Sequence, residues 1–337
     1  MAFSVKLSVL IPSLGSADRL ARLFDSLAAQ TLPRDRFEVL YSTDTPVEQP
    51  PSDRFKHVAP GRSELGPPGL ASRRNSLLGA AANEIVLFLS DEVIPQPDCL
   101  ERTLACHMAL GEKSALVVGA APAVVRLPDR LLDRVARETP LVSVLDQMEK
   151  HAASVERDWT FRGVQFLNLS FRAQDAAGMH FDEAPEHSEY SELEWAWRVT
   201  SARSLPVVYR RDVRVRHDHR IEPDTFLSRE YTRGIQAYEI GLRSPRFAKA
   251  LFGREIGQAD ELRFSRAFVE AERTLAEQLR QEFFALAEVS SDSATPAALE
   301  SIYNEQSLLK RWTWRLGLIA SAARSSPARV AQLSLAA

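Results

Sequence analysis

The chain has 337 residues, of which 45% are hydrophobic and 26% charged, and its formal net charge is −3. This composition is typical of a globular protein with a full core, and the length suits one large α/β domain with an appendage or two ordinary domains. The slightly acidic balance gives no reason to expect nucleic acid as a partner. The first residues lack the pattern of a signal peptide, and no apolar run approaches the roughly 20 residues of a membrane span. The sequence therefore predicts a cytoplasmic protein.

The first half of the chain alternates apolar strand patterns with amphipathic helix patterns. In chain order, these patterns predict a strand over 6–12, a helix over 17–30, a strand over 37–41, a short strand at 57–58, a helix over 71–82, a strand over 84–89, a helix over 98–110 and a strand over 115–120. The strand–helix–strand order implies parallel strands joined by right-handed crossovers. The strand over 84–89 is apolar with little alternation, which favours a central position covered on both faces.

The second half becomes increasingly helical. The patterns predict a polar helical excursion over 128–158, a strand over 164–171, a helix over 191–201, short strands over 206–209 and 213–215, and helices from 224 onward with a break at 290–296. We therefore expect an α/β domain over residues 1–222 and a helical C-terminal extension over 223–337.

Polar loops follow three of the predicted strands. They are Pro12-Ser-Leu-Gly15, Ser42-Thr-Asp44 and Ser90-Asp91-Glu92. Open parallel sheets bind ligands at the carboxyl ends of their strands, so we expect these loops to lie around one site. Adjacent carboxylates such as Asp91 and Glu92 suit a hard cation bridging protein and diphosphate. The alternative is a solvated acidic pair at the start of a helix.

Four segments of the chain, in order, resemble family 2 glycosyltransferases of the GT-A fold. These segments are residues 8–44, 66–100, 166–199 and 213–234. In the second, Arg74 and Asn75 match an Arg-Asn helix of that family, and Ser90-Asp91-Glu92 matches its acidic DxD-type motif. In the third, an Asn-x-Ser-x-Arg strand leads through Phe181-Asp-Glu to an acidic pair before a Glu-x-x-x-Arg helix. The fourth carries a histidine that in the family lies near the metal.

The resemblance implies an α/β GT-A domain and an inverting, metal-dependent glycosyltransferase. Such an enzyme moves a sugar from a nucleotide-diphosphate donor to a hydroxyl acceptor, which could be a glycan, a lipid-linked molecule or a small molecule. The base that takes the acceptor proton would be Glu192, with Glu189 as the second candidate. The residues implied at the donor are Pro12, Asp44, Arg74, Asn75 and Asp91. Manganese or magnesium would be held by Asp91, Glu92 and His217, with His219 as a further candidate ligand.

Three motifs depart from the family pattern. Ser90 replaces the first acid of the DxD-type motif, and Glu92 replaces its final Asp. At the usual Glu-Asp pair the chain has Ser191-Glu192, and the acidic dipeptide after the second strand becomes Thr43-Asp44. These changes keep open an alternative from a different class, a catalytically silent GT-A-fold protein that acts as a binding or scaffold partner. A nucleotidyltransferase is less consistent with the sequence, because no basic residue follows the first strand before Arg19.

Other residues flank this predicted site or lie beyond it. Trp195 and Trp197 are two apart on a predicted helix, so one should be in the core and the other should face outward. Asp182 and Glu183 are expected on the acceptor side. The basic, amphipathic segment 310–324 suits contact with a membrane surface. Its alternative role is packing against the catalytic domain or against a second subunit in a homodimer.

Overall fold

The computed structural model describes residues 5–15, 17–48, 50–61, 68–151, 157–184 and 188–324. The chain forms two compact units. The first contains Met1–Val124 and Val144–His219, and the second contains Val125–Ser143 and Arg220–Ala337. The second unit therefore takes in a segment that interrupts the first along the chain, which the sequence did not predict. Within the described ranges, no helix combines the length and hydrophobicity needed to cross a membrane.

The first unit is built on one mixed sheet of eight strands. The strands are β1 (Leu7–Pro12), β2 (Phe37–Ser42), β3 (Phe55–His57), β4 (Ile85–Leu89), β5 (Val93–Pro95), β6 (Leu116–Ala120), β7 (Asn168–Arg172) and β8 (Val207–His217). They lie in the order β3–β2–β1–β4–β7–β6–β8–β5. The strands from β1 to β4 pair in parallel, as do β6 and β8, whereas β7 runs antiparallel between β4 and β6 and β5 runs antiparallel to β8.

The helices alternate with strands in the first unit and follow one another in the second. They are α1 (Ala17–Ala28), α2 (Leu70–Ala80), α3 (Cys99–Leu110), α4 (Leu131–Glu138), α5 (Leu145–His151), α6 (Ser191–Arg203), α7 (Pro223–Arg243), α8 (Pro245–Phe252), α9 (Ala259–Ala271), α10 (Arg273–Ala285) and α11 (Pro296–Arg324). Helix α4 and helices α7 to α11 belong to the second unit.

The sequence patterns agree with these elements because burial follows their periods. In α1, Leu20, Leu23, Phe24 and Leu27 are buried, which is the i, i+3, i+4, i+7 stripe of an amphipathic helix. Every residue of β4 is buried, as expected for a strand covered on both faces. The predicted central position of this strand is confirmed, since it pairs with β1 on one side and β7 on the other.

The sequence-based prediction of β8 was wrong, and β5 was not predicted. Two short strands were predicted over 206–209 and 213–215, but the structure has one strand, Val207–His217. Its pairing with β6 shifts register, because Gly119 pairs with Arg210 whereas Ala120 pairs with Arg214. Such a bulge leaves extra residues unpaired, and the polar residues there interrupt the strand pattern. Strand β5 has only three residues, too few to show alternation.

The second unit has its own hydrophobic core. Leu132 and Val135 of α4 pack there with residues of later helices, including Leu279, Phe283 and Leu309. The helical excursion predicted over 128–158 thus contains two short helices, α4 and α5, that belong to different units. The predicted break near 290–296 is confirmed as a 3-10 turn, after which α11 begins at Pro296.

Helices α7 and α11 approach each other at two glycines. A Cβ on Gly234 would lie 1.8 Å from the carbonyl oxygen of Trp314, and a Cβ on Gly317 would lie 2.0 Å from that of Tyr231. Each glycine therefore accommodates a backbone carbonyl of the opposite helix. No other residue type fits at either position without moving a backbone.

Two basic residues of the predicted membrane-facing segment are engaged inside the second unit. Arg315 is buried and bonded to Glu261 at 2.6 Å, and Lys310 donates to the carbonyl of Leu141 at 2.6 Å. Arg311 and Arg324 are exposed. A membrane or subunit contact through this segment stays a prediction.

Candidate functional site

The predicted polar loops lie at one edge of the sheet in the first unit. Strands β1, β2 and β4 are parallel neighbours, so their carboxyl ends meet there. Pro12 is the last, buried residue of β1 and pairs with Ser42 of β2. The next residue, Ser13, donates its N–H to the carbonyl of Ser42 at 3.0 Å. This edge is the usual ligand-binding edge of an open parallel sheet.

Glu92 is the centre of a charged cluster at this edge. Its Oε1 accepts from Arg19 Nη1 at 2.8 Å and lies 2.9 Å from His219 Nδ1, while its Oε2 lies 3.6 Å from His217 Nε2. The pairing of β5 with β8 explains this arrangement, because Val93 lies opposite His217 in the ladder. The sequence predicted Glu92 and His217 as ligands of one metal, with His219 as a further candidate, and it did not predict Arg19 in this cluster. The structure brings these four side chains together.

The imidazoles determine the charge state of Glu92. Burial by itself would raise the pKa of this carboxyl, but the His217 and His219 side chains outweigh burial and hold the pKa well below its usual value of 4.5. Glu92 is therefore ionised at neutral pH. The buried His217 Nε2 has no hydrogen-bond partner in the described part of the chain.

These residues fit a cation site that is only partly formed by protein. Among the described residues, no group of three or more His, Cys, Asp or Glu side chains is arranged to hold a metal ion. Glu92 and His217 Nε2 offer two ligand atoms. Magnesium sites commonly use one or two protein ligands and complete the shell with phosphate oxygens and water. The donor set therefore suits a cation that arrives with a diphosphate.

Asp91 is held by the loop after β1. The hydroxyl of Ser13 donates a short hydrogen bond to its Oδ2 and accepts one from the N–H of Gly15 at 3.0 Å. A Cβ on Gly15 would lie 2.2 Å from the same Oδ2, so a larger residue at this position would displace the carboxylate of Asp91. The structure thus links the first and third predicted loops through Asp91.

Arg73, which the sequence analysis did not select, forms a second cluster with Asp44. Its side chain is 1% exposed, and Nη2 lies 2.5 Å from Oδ1 of the exposed Asp44. Its Nε and Nη1 are buried without a hydrogen-bond partner in the described ranges. Since buried N–H groups are nearly always paired, these two donors suit an anion or acceptor supplied by a ligand.

Arg74, predicted at the diphosphate, is paired with the predicted base, and its contact with a diphosphate stays a prediction. Its Nη2 makes a short contact with Oε1 of Glu192. The guanidinium lies over the rings of Phe166 and Phe181, 4.8 and 5.5 Å from their centroids. In the described ranges, no residue donates to Oε2 of Glu192. Arg74 therefore fixes one oxygen of this carboxylate and leaves the other available.

Asn75 supports the residues of the predicted acceptor side. Its side chain bonds both the N–H and the carbonyl of Phe181, at 2.7 and 3.0 Å, and donates to Glu183 at 2.7 Å. Asp182 is partly buried and accepts from the N–H of Ala184. Because the Asn75 amide is fully engaged, its predicted contact with the donor stays a prediction.

The tryptophans of α6 divide as predicted. Trp195 is fully buried, stacks on Phe181 and donates to the carbonyl of Met179, whereas Trp197 is partly exposed. Glu189, the second candidate base, is partly exposed and is engaged by other groups.

The residues that the sequence missed did leave a signal. Arg73 lies four residues before the buried Leu77, on the same face of α2, whereas Arg74 was chosen only through the family motif. Arg19 is likewise the first basic residue after β1. This four-residue spacing from Leu77 is the signal that places Arg73 on the buried face of the helix.

Known structures share this architecture. The chain aligns with S. aureus TarS at a TM-score of 0.50 and 15% identity, over 93% of this chain and 55% of that one. It aligns with the mannosyltransferase PcManGT from Pyrobaculum calidifontis, solved with GDP-Man and Mn²⁺, at a TM-score of 0.50 and 15% identity, over 96% and 87% of the two chains. The chain thus spans about half the length of TarS. No protein-family model and no curated protein matches the sequence.

The likeness confirms the predicted fold class. The chain has an α/β GT-A architecture, a mixed sheet flanked by helices and followed by a helical C-terminal extension, and shares it with these two structures. At this identity the likeness shows the fold alone, and the chemistry has to be argued from the residues at the carboxyl edge.

Proposed function

We propose that the protein is an inverting glycosyltransferase that moves a sugar from a nucleotide-diphosphate donor to a hydroxyl acceptor, assisted by a divalent metal. The observation that carries this proposal is the buried guanidinium of Arg73, with two unpaired nitrogens beside Asp44. A buried cation with open donors at the carboxyl edge suits a donor with acceptor atoms and negative charge. The mannosyltransferase of the same fold, solved with GDP-Man and Mn²⁺, is consistent with this donor class.

The charged groups at the edge suit the departing diphosphate. Arg73 supplies N–H donors, Asp44 suits the ribose or base of the nucleotide, and Arg19 adds a positive charge beside Glu92. Manganese or magnesium, held by Glu92 and His217 with Asp91 nearby, would neutralise the charge that develops on the leaving group. This assignment retains the three predicted ligands.

Glu192 is the proposed base. It would take the proton of the acceptor hydroxyl as that oxygen attacks the anomeric carbon, on the face opposite the diphosphate, so the configuration inverts. The contact with Arg74 orients the carboxylate through Oε1, and Oε2 is the oxygen left to accept the proton. Neighbouring Ser191, which stands where the family has an acid, is buried and donates to the carbonyl of Ser188.

The proposal is tested by measuring sugar transfer and by determining the anomeric configuration of the product. Purified protein is incubated with Mn²⁺, a panel of sugar nucleotides and sugar acceptors, and the released nucleoside diphosphate is measured. The anomeric configuration of the product is then read by NMR. Glu192→Gln should lower turnover by roughly 10²–10⁴ because a base acts in the transition state, while donor affinity should be unchanged. Glu194→Gln is the matched control, because Glu194 lies two residues later in the same helix and pairs with Arg198.

Two outcomes would change the assignment. If Glu189→Gln is inactive while Glu192→Gln turns over normally, the base is Glu189. If nucleoside diphosphates bind but no sugar is transferred from any donor, the protein is the silent binding or scaffold partner that its serines at 90 and 191 allow.

A further inference from the structure

A second cleft lies in the first unit, at the amino end of β8. Its volume is about 340 Å³, within the range of roughly 300–1,000 Å³ that small-molecule sites occupy. One wall is formed by Thr200 and Ser201 in the last turn of α6, and by Ser204 just after it. The other wall contains Asp158 and Thr160, which lead into a short 3-10 helix.

The backbone around this cleft is strained. Within the described ranges, two residues other than glycine have a positive φ, and both line the cleft. Thr160 has φ 58° and ψ 175°, a region that is nearly restricted to glycine, and Ser204 is left-handed at the end of α6. Asp158 Oδ1 holds this geometry by accepting from the N–H of Thr160 at 2.8 Å and of Val207 at 2.9 Å. Strained backbone that is fixed in this way is concentrated at ligand sites.

The lining chemistry restricts the class of ligand. Its residues include no lysine, arginine or histidine, so an anion finds no cationic partner there and faces the carboxylate of Asp158. Asp158 is the single carboxylate, which is too few oxygens for a hard cation. The hydroxyls of Thr160, Ser201 and Ser204 make no hydrogen bond with other described residues, nor does Oδ2 of Asp158.

Apolar surface completes the cleft. Phe161, Leu205 and Pro206 line it beside the hydroxyl groups. A neutral sugar ring presents hydroxyls around its edge, which can pair with a carboxylate and hydroxyls, and C–H groups on its faces, which can lie against apolar side chains. Sites of this kind combine apolar walls with a few placed polar groups.

The cleft and the candidate active site lie at opposite ends of two elements. The cleft is at the Val207 end of β8 and the last turn of α6, whereas His217 ends β8 and Glu192 is in the first turn of α6. Because the bulge opposite Gly119 and Ala120 shortens the strand, Val207 and His217 are about seven paired positions apart, or roughly 23 Å at about 3.3 Å per residue. We infer that this cleft binds a neutral saccharide, separately from the nucleotide site. The inference rests on the lining chemistry and does not require transferase activity.

Direct binding tests the inference. The full chain, without nucleotide, is titrated with the neutral trisaccharides maltotriose, mannotriose and chitotriose by calorimetry and saturation-transfer NMR. At least one should bind, and Ser201→Phe should weaken that binding by about tenfold or more by filling the cleft. Ala202→Phe is the matched control, because Ala202 is exposed on the same helix and does not line the cleft. It should bind like the wild type.

The inference is overturned if none of the trisaccharides binds the wild type, or if Ser201→Phe binds as tightly as the wild type does. Asp158→Asn keeps an oxygen for the two backbone N–H groups and changes the atom facing the ligand, so it should weaken binding without unfolding the protein. Binding of UDP and GDP with Mn²⁺, measured on the same variants, should be unchanged. That second measurement tests the nucleotide site, so failure of the proposed function is distinguishable from failure of the saccharide site.

Discussion

Replacing Arg73 with methionine should separate nucleotide binding from folding stability. Each buried, unpaired donor costs about 1–3 kcal/mol, and Arg73 has two such nitrogens, Nε and Nη1. Its contact with Asp44 offsets little of this cost, because a carboxylate that is 78% exposed makes an ion pair worth about 0–1 kcal/mol. Methionine fills a similar volume without polar atoms. We therefore expect the free energy of unfolding to rise by about 1–4 kcal/mol, as in other replacements of buried ionic groups.

The same substitution should weaken nucleotide binding. A hydrogen bond from a charged group is worth about 1.5–3 kcal/mol, which corresponds to roughly a 10- to 150-fold increase in Kd. Urea denaturation followed by circular dichroism gives the stability, and calorimetry with UDP or GDP and Mn²⁺ gives the Kd. Arg102→Met is the control, because Arg102 pairs with Asp98 on the exposed face of α3. If Arg73→Met lowers the stability and leaves both Kd values unchanged, Arg73 is a structural residue and the reasoning is refuted.

Three further predictions concern stability. Burial lowers the pKa of His107 from 6.5 to about 4. Between these two pH values the unfolded state binds a proton at His107 and the folded state does not, so stability falls as the pH falls. The wild type should then lose about 3 kcal/mol more than His107→Gln between pH 6.5 and 4, in urea titrations at each pH. Glu261→Ala leaves the buried Arg315 without its carboxylate partner, with only the Ser265 hydroxyl still bonded to it, and should cost about 3–5 kcal/mol. Gly234→Ala, which improves helix propensity, should nevertheless lower the Tm because its Cβ meets the carbonyl of Trp314.

Matched controls exist for the last two predictions. Glu270→Ala breaks an exposed pair with Arg273 and should change the free energy of unfolding by less than about 1 kcal/mol. Gly79→Ala lies in α2, where a Cβ meets nothing within 4 Å, and should stabilise the protein by up to about 1 kcal/mol. Equal effects of Glu261→Ala and Glu270→Ala, or of the two glycine variants, would contradict the burial argument. If the His107→Gln variant loses as much stability between pH 6.5 and 4 as the wild type does, groups other than His107 cause the pH dependence.

Sequence patterns predicted the elements of the first unit well because burial there follows simple periods. The stripe in α1 and the continuous apolar run of β4 are direct consequences of where each element lies. The bulge in β8 could not be predicted, since it depends on how Gly119 and Ala120 pair with a strand about 90 residues later. The assignment of residues 125–143 to the second unit similarly depends on tertiary contacts.

The site was predicted less completely than the fold. Strand order placed the three loops at one edge, and Glu92 and His217, predicted as ligands of one metal, lie in one cluster there. The hydrogen-bond and ion-pair partners of individual side chains were not predicted, because they depend on distances between segments that are far apart in the chain. Arg74 illustrates this limit, because its pairing with Glu192, 118 residues away, was not predicted.

The glycine contacts between α7 and α11 have a consequence for how the second unit assembles. Two helices that contact each other through hydrophobic side chains can often shift by a fraction of a turn and repack. Two helices in which a backbone carbonyl lies directly against a glycine cannot shift in this way. Shifting α11 along α7 by one residue would bring a side chain against the carbonyl of Tyr231 or Trp314. Misregistered docking is therefore excluded by steric overlap and not merely made less favourable.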